Sequence, residues 1–215
     1  MTEPDNTSQF YIDDLKLRDW PSLHRMARQP GFFYAYISES RQPVWLGVTR
    51  FLILMQKLRL RRPFRPRHWF LALRTSGGTL LGCVVLLDFG ILAPQVAEIA
   101  YFTAMDWRGQ GLSQRAVFSV ARWAQQNMGL KGLYAHVDPD NPASLAILGK
   151  LGLTPTKFVP AAQSQFTDRA GQRRPCWIMQ TTPPSLQAAL ANLAIAEFAV
   201  LSGHKRPDAD QSASR

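Results

Sequence analysis

Apolar residues recur along most of the chain with a period of two or of about 3.6, which predicts strands that alternate with helices. Two apolar runs, HWFLALRTS and TLLGCVVLLDF, lie on either side of Gly77 and Gly78 and predict a β-hairpin. A third run, VAEIAYFTA, leads into a turn that contains Gly109 and Gly111. Beyond the turn, residues 116–128 repeat apolar positions at three- and four-residue spacing and predict a helix.

The N-terminal part of the chain predicts one strand and two helices. Residues 10–17 alternate and predict the strand, and residues 19–28 predict a short helix with Asp19 as its N-cap. A second helix is predicted over 48–61, because its apolar residues fall on one face and its basic residues on another. The stretch between the two helices is rich in aromatic residues and has no clear period.

Towards the C-terminus, GLYAHVDPDN predicts a strand and NPASLAILGKLGL predicts a helix. Residues 158–166 and 176–181 are expected to form the last two strands, joined by a polar loop over 168–174. An amphipathic helix is predicted over 185–201, and the composition of 204–215 is typical of a disordered tail.

The composition indicates one globular domain. The chain has 215 residues, of which 46% are hydrophobic, including six Trp and twelve Phe. The first residues, MTEPDNTSQF, lack the basic start and apolar stretch of a secretion signal, so we expect a cytoplasmic protein. In that compartment Cys83 and Cys176 are expected to be free and buried. The apolar run 80–92 is too short and too interrupted to span a membrane.

Positive charge is concentrated in one segment. The net charge is +10, and residues 41–74, called the basic segment, carry nine Lys or Arg and no Asp or Glu. Such a block attracts an anionic partner, so we expect this segment to contact RNA, a ribosome or a membrane surface. The four histidines lie far apart in the sequence without zinc-site spacing, so no metal site is expected.

The succession of strand, glycine turn and helix favours the binding of a phosphate group. The first N–H groups of a helix have no partner within it, the helix dipole adds positive charge there, and glycines let a ligand approach the backbone. The turn is not a Walker loop, because Leu112 follows Gly111 where that loop requires Lys. It is not a Rossmann loop either, because Gln114 takes the place of the third glycine.

The turn and the segments after it resemble a known family. Arg108-x-x-Gly111-x-Ser113 is similar to the pyrophosphate loop Gln/Arg-x-x-Gly-x-Gly/Ala of the GNAT acyltransferases, with Ser113 in the last small position. Downstream, NPAS and KLGL resemble the family's Asn-x-x-Ser and Lys-x-Gly-Phe elements. The order EIAYFTA, RGQGLS, VDPDN, NPAS, KLGL is most similar to the Rim-type N-terminal acetyltransferases of ribosomal proteins, over about residues 68–181.

The resemblance implies an α/β GNAT fold, with a mixed, strongly twisted central sheet, helices on both faces and here an extra C-terminal helix. It also implies that the strand before the glycine turn splays from the next strand and admits the pantetheine arm of a donor. The expected organisation is one domain over 1–182, in which 1–67 forms a wall of the acceptor site and 68–182 forms the core. A helix over 183–203 and the tail over 204–215 follow.

Acetyl-CoA is the acyl donor that the resemblance implies. By comparison with the family, Arg108 through Ser113 hold the pyrophosphate, the strand backbone at Phe102 and Thr103 binds pantetheine and polarises the thioester carbonyl, and Asn141 bonds the pantetheine arm. The full set of expected donor-binding residues is Phe102, Thr103, Arg108, Gly109, Gln110, Gly111, Leu112, Ser113 and Asn141.

Glu98 and Ser144 are the expected catalytic residues. Glu98 matches an acidic residue often placed there in the Rim-type branch and is expected to act as the base; alternatively it is a surface carboxylate, and a chain of waters replaces it. Leu148 occupies the position where many GNAT members have a Tyr acid. Ser144 matches a serine to which an acid role is attributed in Rim-type relatives, so the resemblance implies that Ser144 acts as the acid instead. Alternatively Ser144 only helps to position its helix, and Tyr101 is a further candidate for the acid.

Two other features have both a functional and a structural interpretation. His136, on the strand after the glycine helix, is interpreted as a structural histidine. The aromatic residues of the N-terminal part are expected to line an acceptor pocket, although they can equally be core residues. The aromatic residues in question are Phe32, Phe33, Tyr36 and Trp45.

The resulting hypothesis is an acetyl-CoA-dependent N-acetyltransferase in which a primary amine attacks the donor directly in a ternary complex. A protein N-terminal α-amine is the first acceptor, and a polyamine, an antibiotic or aminoacyl-tRNA is the alternative. A hypothesis of another class is a basic RNA- or membrane-associated binding protein on an inactive GNAT scaffold. The C-terminal helix is compatible with a monomer or with a homodimer.

Overall fold

The computed structural model describes residues 9–27, 29, 68–87, 90, 92–164, 172–192 and 197–202. Five predictions therefore lie wholly or mostly outside the described residues: the helix over 48–61, the aromatic wall, the basic segment, the polar loop over 168–174 and the tail.

A mixed sheet of eight strands organises the described residues. The strands are β1 Phe10–Asp14, β2 Trp69–Thr75, β3 Leu80–Leu87, β4 Val96–Thr103, β5 Gly132–Val137, β6 Thr154–Val159, β7 Cys176–Gln180 and β8 Ala199–Val200. Their order across the sheet is β6-β7-β5-β4-β3-β2-β1-β8. β4 pairs with β5, and β1 with β8, in parallel, whereas the other neighbours are antiparallel.

Helices cover both faces of this sheet. The α-helices are α1 Trp20–Ala27, α2 Leu112–Met128, α3 Pro142–Lys150 and α4 Pro183–Ala191, and short 3₁₀ turns occupy Leu17–Asp19, Met105–Trp107 and Ala161–Gln163. On one face, called the α2 face, Val117 of α2 and Leu186 of α4 belong to a core cluster with Ile99 of β4. On the other, called the α1 face, Leu23 of α1 clusters with Phe70 of β2. The mixed sheet with helices on both faces confirms the expected fold class.

The strands β4 and β5 pair over only three residues each, Val96–Glu98 with Gly132–Tyr134. Beyond Glu98, β4 continues beside β3 as far as Thr103, whereas β5 continues beside β7. The two parallel strands therefore stop pairing beyond Glu98 and diverge, and the separation between their carboxyl-terminal halves is called the cleft. This divergence confirms the splay that the family resemblance implies.

The strand predicted over 158–166 is wrong in its position. β6 runs from Thr154 to Val159, and Pro160 separates it from the 3₁₀ turn Ala161–Gln163. β6 is an edge strand whose residues are mostly exposed, so it has little of the apolar pattern that marks a strand in the sequence. It tolerates Pro155 because the pairing with β7 is irregular between Pro155 and Lys157.

The predicted C-terminal helix, over 185–201 or at most 183–203, is too long. α4 ends at Ala191, and Ala199–Val200 forms β8, which pairs with β1. The apolar spacing continues past the helix because Phe198 is also a core residue, although not a helical one. Tertiary hydrogen bonds fix this last segment, from Phe198 N–H to Ser119 Oγ and from Leu201 N–H to the Ile12 carbonyl.

Both cysteines are free and buried, as expected from the sequence. Burial raises the pKa of the Cys83 thiol and that of the Cys176 thiol. The thiols therefore remain protonated and inert at neutral pH. Among the described helices, none is long and apolar enough to cross a bilayer.

Arg74 is a buried cation that connects the first two strands to the turn before α1. Its guanidinium, in a residue only 1% exposed, donates from Nε to Asp13 at 2.5 Å and from both terminal nitrogens to Asp19 at 2.9 and 2.6 Å. Burial favours a lower pKa for Arg74, but hydrogen bonds and charges from Asp19 and Asp13 outweigh it and raise the pKa above its ordinary value. The Lys16 N–H also donates to Asp19. The carboxylate of Asp19, which the sequence predicts as a helix N-cap, therefore holds this cluster together.

We expect Asp19→Ala to lower the free energy of unfolding by about 3–5 kcal/mol, because it leaves a buried guanidinium without its bidentate partner. Urea unfolding followed by circular dichroism measures the change. Asp106→Ala, at an exposed position, is the matched control and should change stability by less than about 0.5 kcal/mol. Equal urea midpoints for the two variants would show that the Arg74 cluster does not stabilise the fold.

Candidate active site

The glycine turn leads directly into the N-terminus of α2. Gly109 and Gly111 have φ values of +78° and +72°, in the left-handed region that favours glycine. Gly111 is the N-cap residue of α2, and as a glycine it has no side chain that could cap the helix. A Cβ placed on either glycine would meet no protein atom within 4 Å, so both backbones face open space. The first N–H groups of the helix are therefore accessible to an anionic ligand.

Side chains of the turn also fasten it to the end of β4. The hydroxyl groups of Ser113 and Thr103 are 2.7 Å apart, and Arg108 Nε donates to the Thr103 carbonyl at 3.0 Å. The contact between the two hydroxyl groups explains why serine is accommodated at a position where the family has Gly or Ala, because Thr103 provides a hydrogen-bond partner for the Ser113 hydroxyl. The side chain of Leu112 is buried in the core, so only its backbone can contact a ligand. Gln110 is exposed at the tip of the turn.

Asn141 and Ser144 lie in the first turn of α3, on the far side of the cleft from β4. The Asn141 side-chain carbonyl accepts a bond from the Ser144 N–H at 3.0 Å, which makes Asn141 the N-cap. The Ser144 hydroxyl lies 2.9 Å from the Tyr101 hydroxyl, which reaches it from the diverging part of β4. Burial raises the pKa of Tyr101 to about 12, although its bond with Ser144 lowers it in part.

The structure thus brings together the two candidate acids that the sequence left as alternatives. Leu148, which occupies the family's tyrosine position, is only 1% exposed and belongs to the core. Tyr101 carries a phenol to the same helix from the strand opposite. Since its pKa is about 12, Tyr101 is a hydrogen-bond donor throughout the neutral range.

Glu98 is buried and has a partner, which excludes its interpretation as a surface carboxylate. Its residue is 7% exposed, and its Oε1 lies 2.8 Å from Nδ1 of His136 on β5. Glu98 is the last residue of β4 that pairs with β5, so this contact joins the strands at the point where the cleft begins. The two residues are 38 positions apart in the sequence, and their pairing was not predicted. Their position on neighbouring parallel strands was the signal that could have found it.

Two further contacts support the elements around the cleft. Arg174, just before β7, binds Asp140 at 2.6 Å and Asp138 at 3.4 Å, and so anchors the loop that carries Asn141. Lys150, at the end of α3, donates to Gln114 in the first turn of α2. In the described parts of the chain, no group of three or more side chains is arranged to bind a metal ion.

The comparisons with known proteins agree with this geometry. The family model for the acetyltransferase (GNAT) domain matches residues 9–154, about two thirds of the chain. No curated protein sequence matches significantly.

Solved structures with this fold include two acetyltransferases from Vibrio species. One is a chimera of spermidine N-acetyltransferase SpeG from Vibrio cholerae and hSSAT, with a TM-score of 0.65 and 16% identity over 86% of this chain and 100% of that chain. Another is the ribosomal-protein-S5-alanine acetyltransferase from Vibrio fischeri, with a TM-score of 0.64 and 13% identity over 85% of this chain and 96% of that chain. At such identities the two structures show the shared fold alone, whereas the family model covers the glycine turn, the cleft and the N-terminus of α3. The chain therefore belongs to the GNAT acetyltransferase family.

Proposed function

We propose that this protein is an acetyl-CoA-dependent N-acetyltransferase in which a primary amine attacks the bound thioester directly in a ternary complex. The observation that carries the proposal is the cleft between β4 and β5, with the glycine turn at one end of it. A cleft at the carboxyl ends of parallel strands is a common site for a ligand in α/β folds. Holding donor and acceptor together there supplies much of the rate enhancement.

The residues present fit the donor. Bound acetyl-CoA supplies an activated acetyl thioester. The open space beside Gly109 and Gly111 and the start of α2 are suited to its pyrophosphate, with Arg108 as a nearby cation. Phe102 and Thr103 lie on the part of β4 that has left β5, where the pantetheine arm would run. Asn141 already uses its carbonyl oxygen to cap α3, so its amide N–H groups are the ones to bind that arm.

Loss of the thiol requires a place for the negative charge that develops on sulfur. The Tyr101–Ser144 pair lies across the cleft from one strand to the opposite helix, and we propose that it donates the proton or a hydrogen bond to the departing thiolate. Tyr101 makes the better donor of the two, because its raised pKa keeps it protonated. Ser144 both positions the phenol and helps to begin α3.

A protein N-terminal α-amine is the acceptor that we favour. An α-amine has a pKa of about 8, so an appreciable fraction of it is neutral at physiological pH, whereas a lysine-type amine with a pKa near 10.4 is almost fully protonated and needs a base more. A polyamine is best bound by several carboxylates without partners, and three described carboxylates on the strands and loop that border the cleft are already engaged. Asp138 and Asp140 bind Arg174, and Glu98 contacts His136.

The concentration of charge in the basic segment supports a second candidate, a binding protein for RNA or a membrane surface on an inactive scaffold. If the enzyme is active, the same segment would dock it on ribosomal or transfer RNA, with a steep dependence of affinity on salt. A cytoplasmic location, a monomeric or dimeric state, and the division at residues 67 and 182 stay predictions.

We expect calorimetry to detect acetyl-CoA binding to the wild type and at least a tenfold loss of affinity in Gly111→Trp, equivalent to about 1.4 kcal/mol. The indole would fill the space intended for the pyrophosphate. Gly90→Trp is the matched control, because Gly90 also has a positive φ, +77°, and open space around it. It imposes a similar backbone strain away from the turn, and its affinity should stay close to that of the wild type.

Failure of the wild type to bind acetyl-CoA would refute the acyltransferase proposal. RNA binding by the same protein would then favour the second candidate. If Gly90→Trp weakened binding as much as Gly111→Trp, the glycine turn would not be the donor site.

We expect a short peptide that begins with a free alanine to be acetylated with a kcat/KM at least tenfold above that of spermidine. Release of the CoA thiol measures both rates at one pH. The same peptide with a blocked N-terminus and no lysine is the control and should release no thiol above background. A higher kcat/KM for spermidine would reverse the assignment of the acceptor and favour a polyamine.

We expect Tyr101→Phe to lower kcat by about tenfold to a hundredfold, at the modest end of acid catalysis because a thiolate leaves tolerably well unprotonated. The pKa of Tyr101, about 12, is testable by ultraviolet titration of the phenols. One tyrosine of the wild type should ionise well above pH 10, and that transition should be lost in Tyr101→Phe. Since this pKa is raised in the folded state, its contribution to stability is complete below pH 10 and is lost as the pH rises towards 12. Unchanged kcat in the variant would remove Tyr101 from the mechanism.

A further inference from the structure

We propose that Glu98 and His136 act together as the general base, with the His136 imidazole receiving the proton of the attacking amine and Glu98 orienting the ring. The inference rests on the proposed acetyl transfer and specifies how its first proton moves. His136 thereby has a reacting role, in place of the structural role expected from the sequence.

The Glu98–His136 pair lies at the beginning of the cleft. Glu98 is the last β4 residue in register with β5, and His136 lies two residues beyond Tyr134, the residue that Glu98 opposes. The contact between Oε1 and Nδ1, at 2.8 Å, therefore crosses from one diverging strand to the other. A thioester held in the cleft has this pair beside the point where the strands separate.

The Glu98–His136 pair lies on the α1 face of the sheet. Leu133, Ala135 and Val137 of β5 belong to the core cluster on the α2 face, so the alternation of a strand places His136 on the α1 face. By the same alternation Glu98 lies on the α1 face, whereas Ile99 and Tyr101 belong to the cluster on the α2 face. The base and the proposed acid thus lie on opposite faces of the sheet. This separation lets an amine approach from the α1 side while the thiol departs towards Tyr101.

His136 is the more exposed member of the pair, so its side chain is the one that the amine can contact. The Glu98 side chain is 10% exposed and the His136 side chain is 25% exposed. A carboxylate only accepts hydrogen bonds, so the imidazole nitrogen that faces Glu98 carries the proton. In that tautomer the acceptor of the ring is Nε2. The arrangement resembles a carboxylate that holds a catalytic histidine in its reactive tautomer.

Among the described residues, an aromatic ring, a carboxylate and a thiol are further neighbours of the pair. From β5, the Tyr134 ring meets the imidazole edge to face, with ring centroids 5.9 Å apart. Asp138, beyond the end of β5, is engaged by Arg174. From β7, Cys176 presents a thiol whose burial raises its pKa and keeps it neutral.

The proposed step balances without any further reactant. The nitrogen of the neutral amine forms a bond to the thioester carbonyl carbon, and its proton passes to Nε2 of His136. The carbon–sulfur bond then breaks, and the thiolate takes a proton from Tyr101 or from solvent. The imidazolium returns its proton to solvent, and the phenol recovers its own, before the next turnover.

Steady-state kinetics with the alanine peptide test the inference. We expect His136→Gln to lower kcat by roughly a hundredfold or more, with the KM for acetyl-CoA nearly unchanged. The acidic limb of the kcat/KM profile should differ from that of the wild type, because the group that receives the proton of the amine has been removed. Glu98→Gln should lose a similar factor, and the double variant should be little worse than either single one, because the two residues act as a unit. His204→Gln and Glu197→Gln make the same chemical changes elsewhere and should retain wild-type kinetics.

The tautomer of His136 can be measured by spectroscopy even when no efficiently acetylated amine is known. Long-range ¹H–¹⁵N correlation spectra of the wild type should show the neutral His136 ring protonated at Nδ1. A ring protonated at Nε2 would overturn the proposal, as would His136→Gln with an unchanged kcat and pH profile. If acetyl-CoA binds but no amine is acetylated, the proposed function fails by itself, and the tautomer still decides whether the pair is arranged as a base.

Discussion

The divergence of β4 from β5 after Glu98 is the constraint on which the rest of the site depends. Two parallel strands that separate give up backbone hydrogen bonds, and the structure compensates with neighbours and side chains on either side of the gap. β3 keeps the end of β4 in place and β7 keeps the end of β5 in place. Two side-chain contacts join the separated elements: Glu98 contacts His136, and Tyr101 contacts Ser144. The candidate catalytic residues therefore lie where the backbone pairing of β4 and β5 ends.

The glycine turn and the N-terminus of α3 meet this cleft from its two sides. Thr103 joins the turn to β4 through its hydroxyl and its carbonyl, so the backbone of the proposed donor loop is fastened to the strand. Asn141 fixes the start of α3, and Arg174 anchors the loop before it. Remote from the cleft, the buried Arg74 joins β1 and β2 to the turn before α1. The cleft therefore lies among elements that are each held by specific polar contacts.

Much of the fold was predictable from local pattern. The hairpin of β2 and β3, the strand before the glycine turn and the helix after it have strong periodic signals and were assigned correctly. The errors lie where tertiary contacts override local preference. β6 is an exposed edge strand that contains Pro155, and the end of the predicted C-terminal helix pairs instead with β1.

The sequence by itself determined the family and the proposed donor loop, because the function proposed for that loop depends on backbone groups and small residues at fixed spacing. It also indicated Glu98 and Ser144 as candidates, by the positions they occupy in the motifs. Only the tertiary structure decided the partners of these residues, since Glu98 and His136 are 38 positions apart and Tyr101 and Ser144 are 43 apart. Contacts at such separation arise from strand register and helix placement, which no local pattern specifies. The fold therefore decided the burial and the hydrogen-bond partners of the candidate catalytic residues.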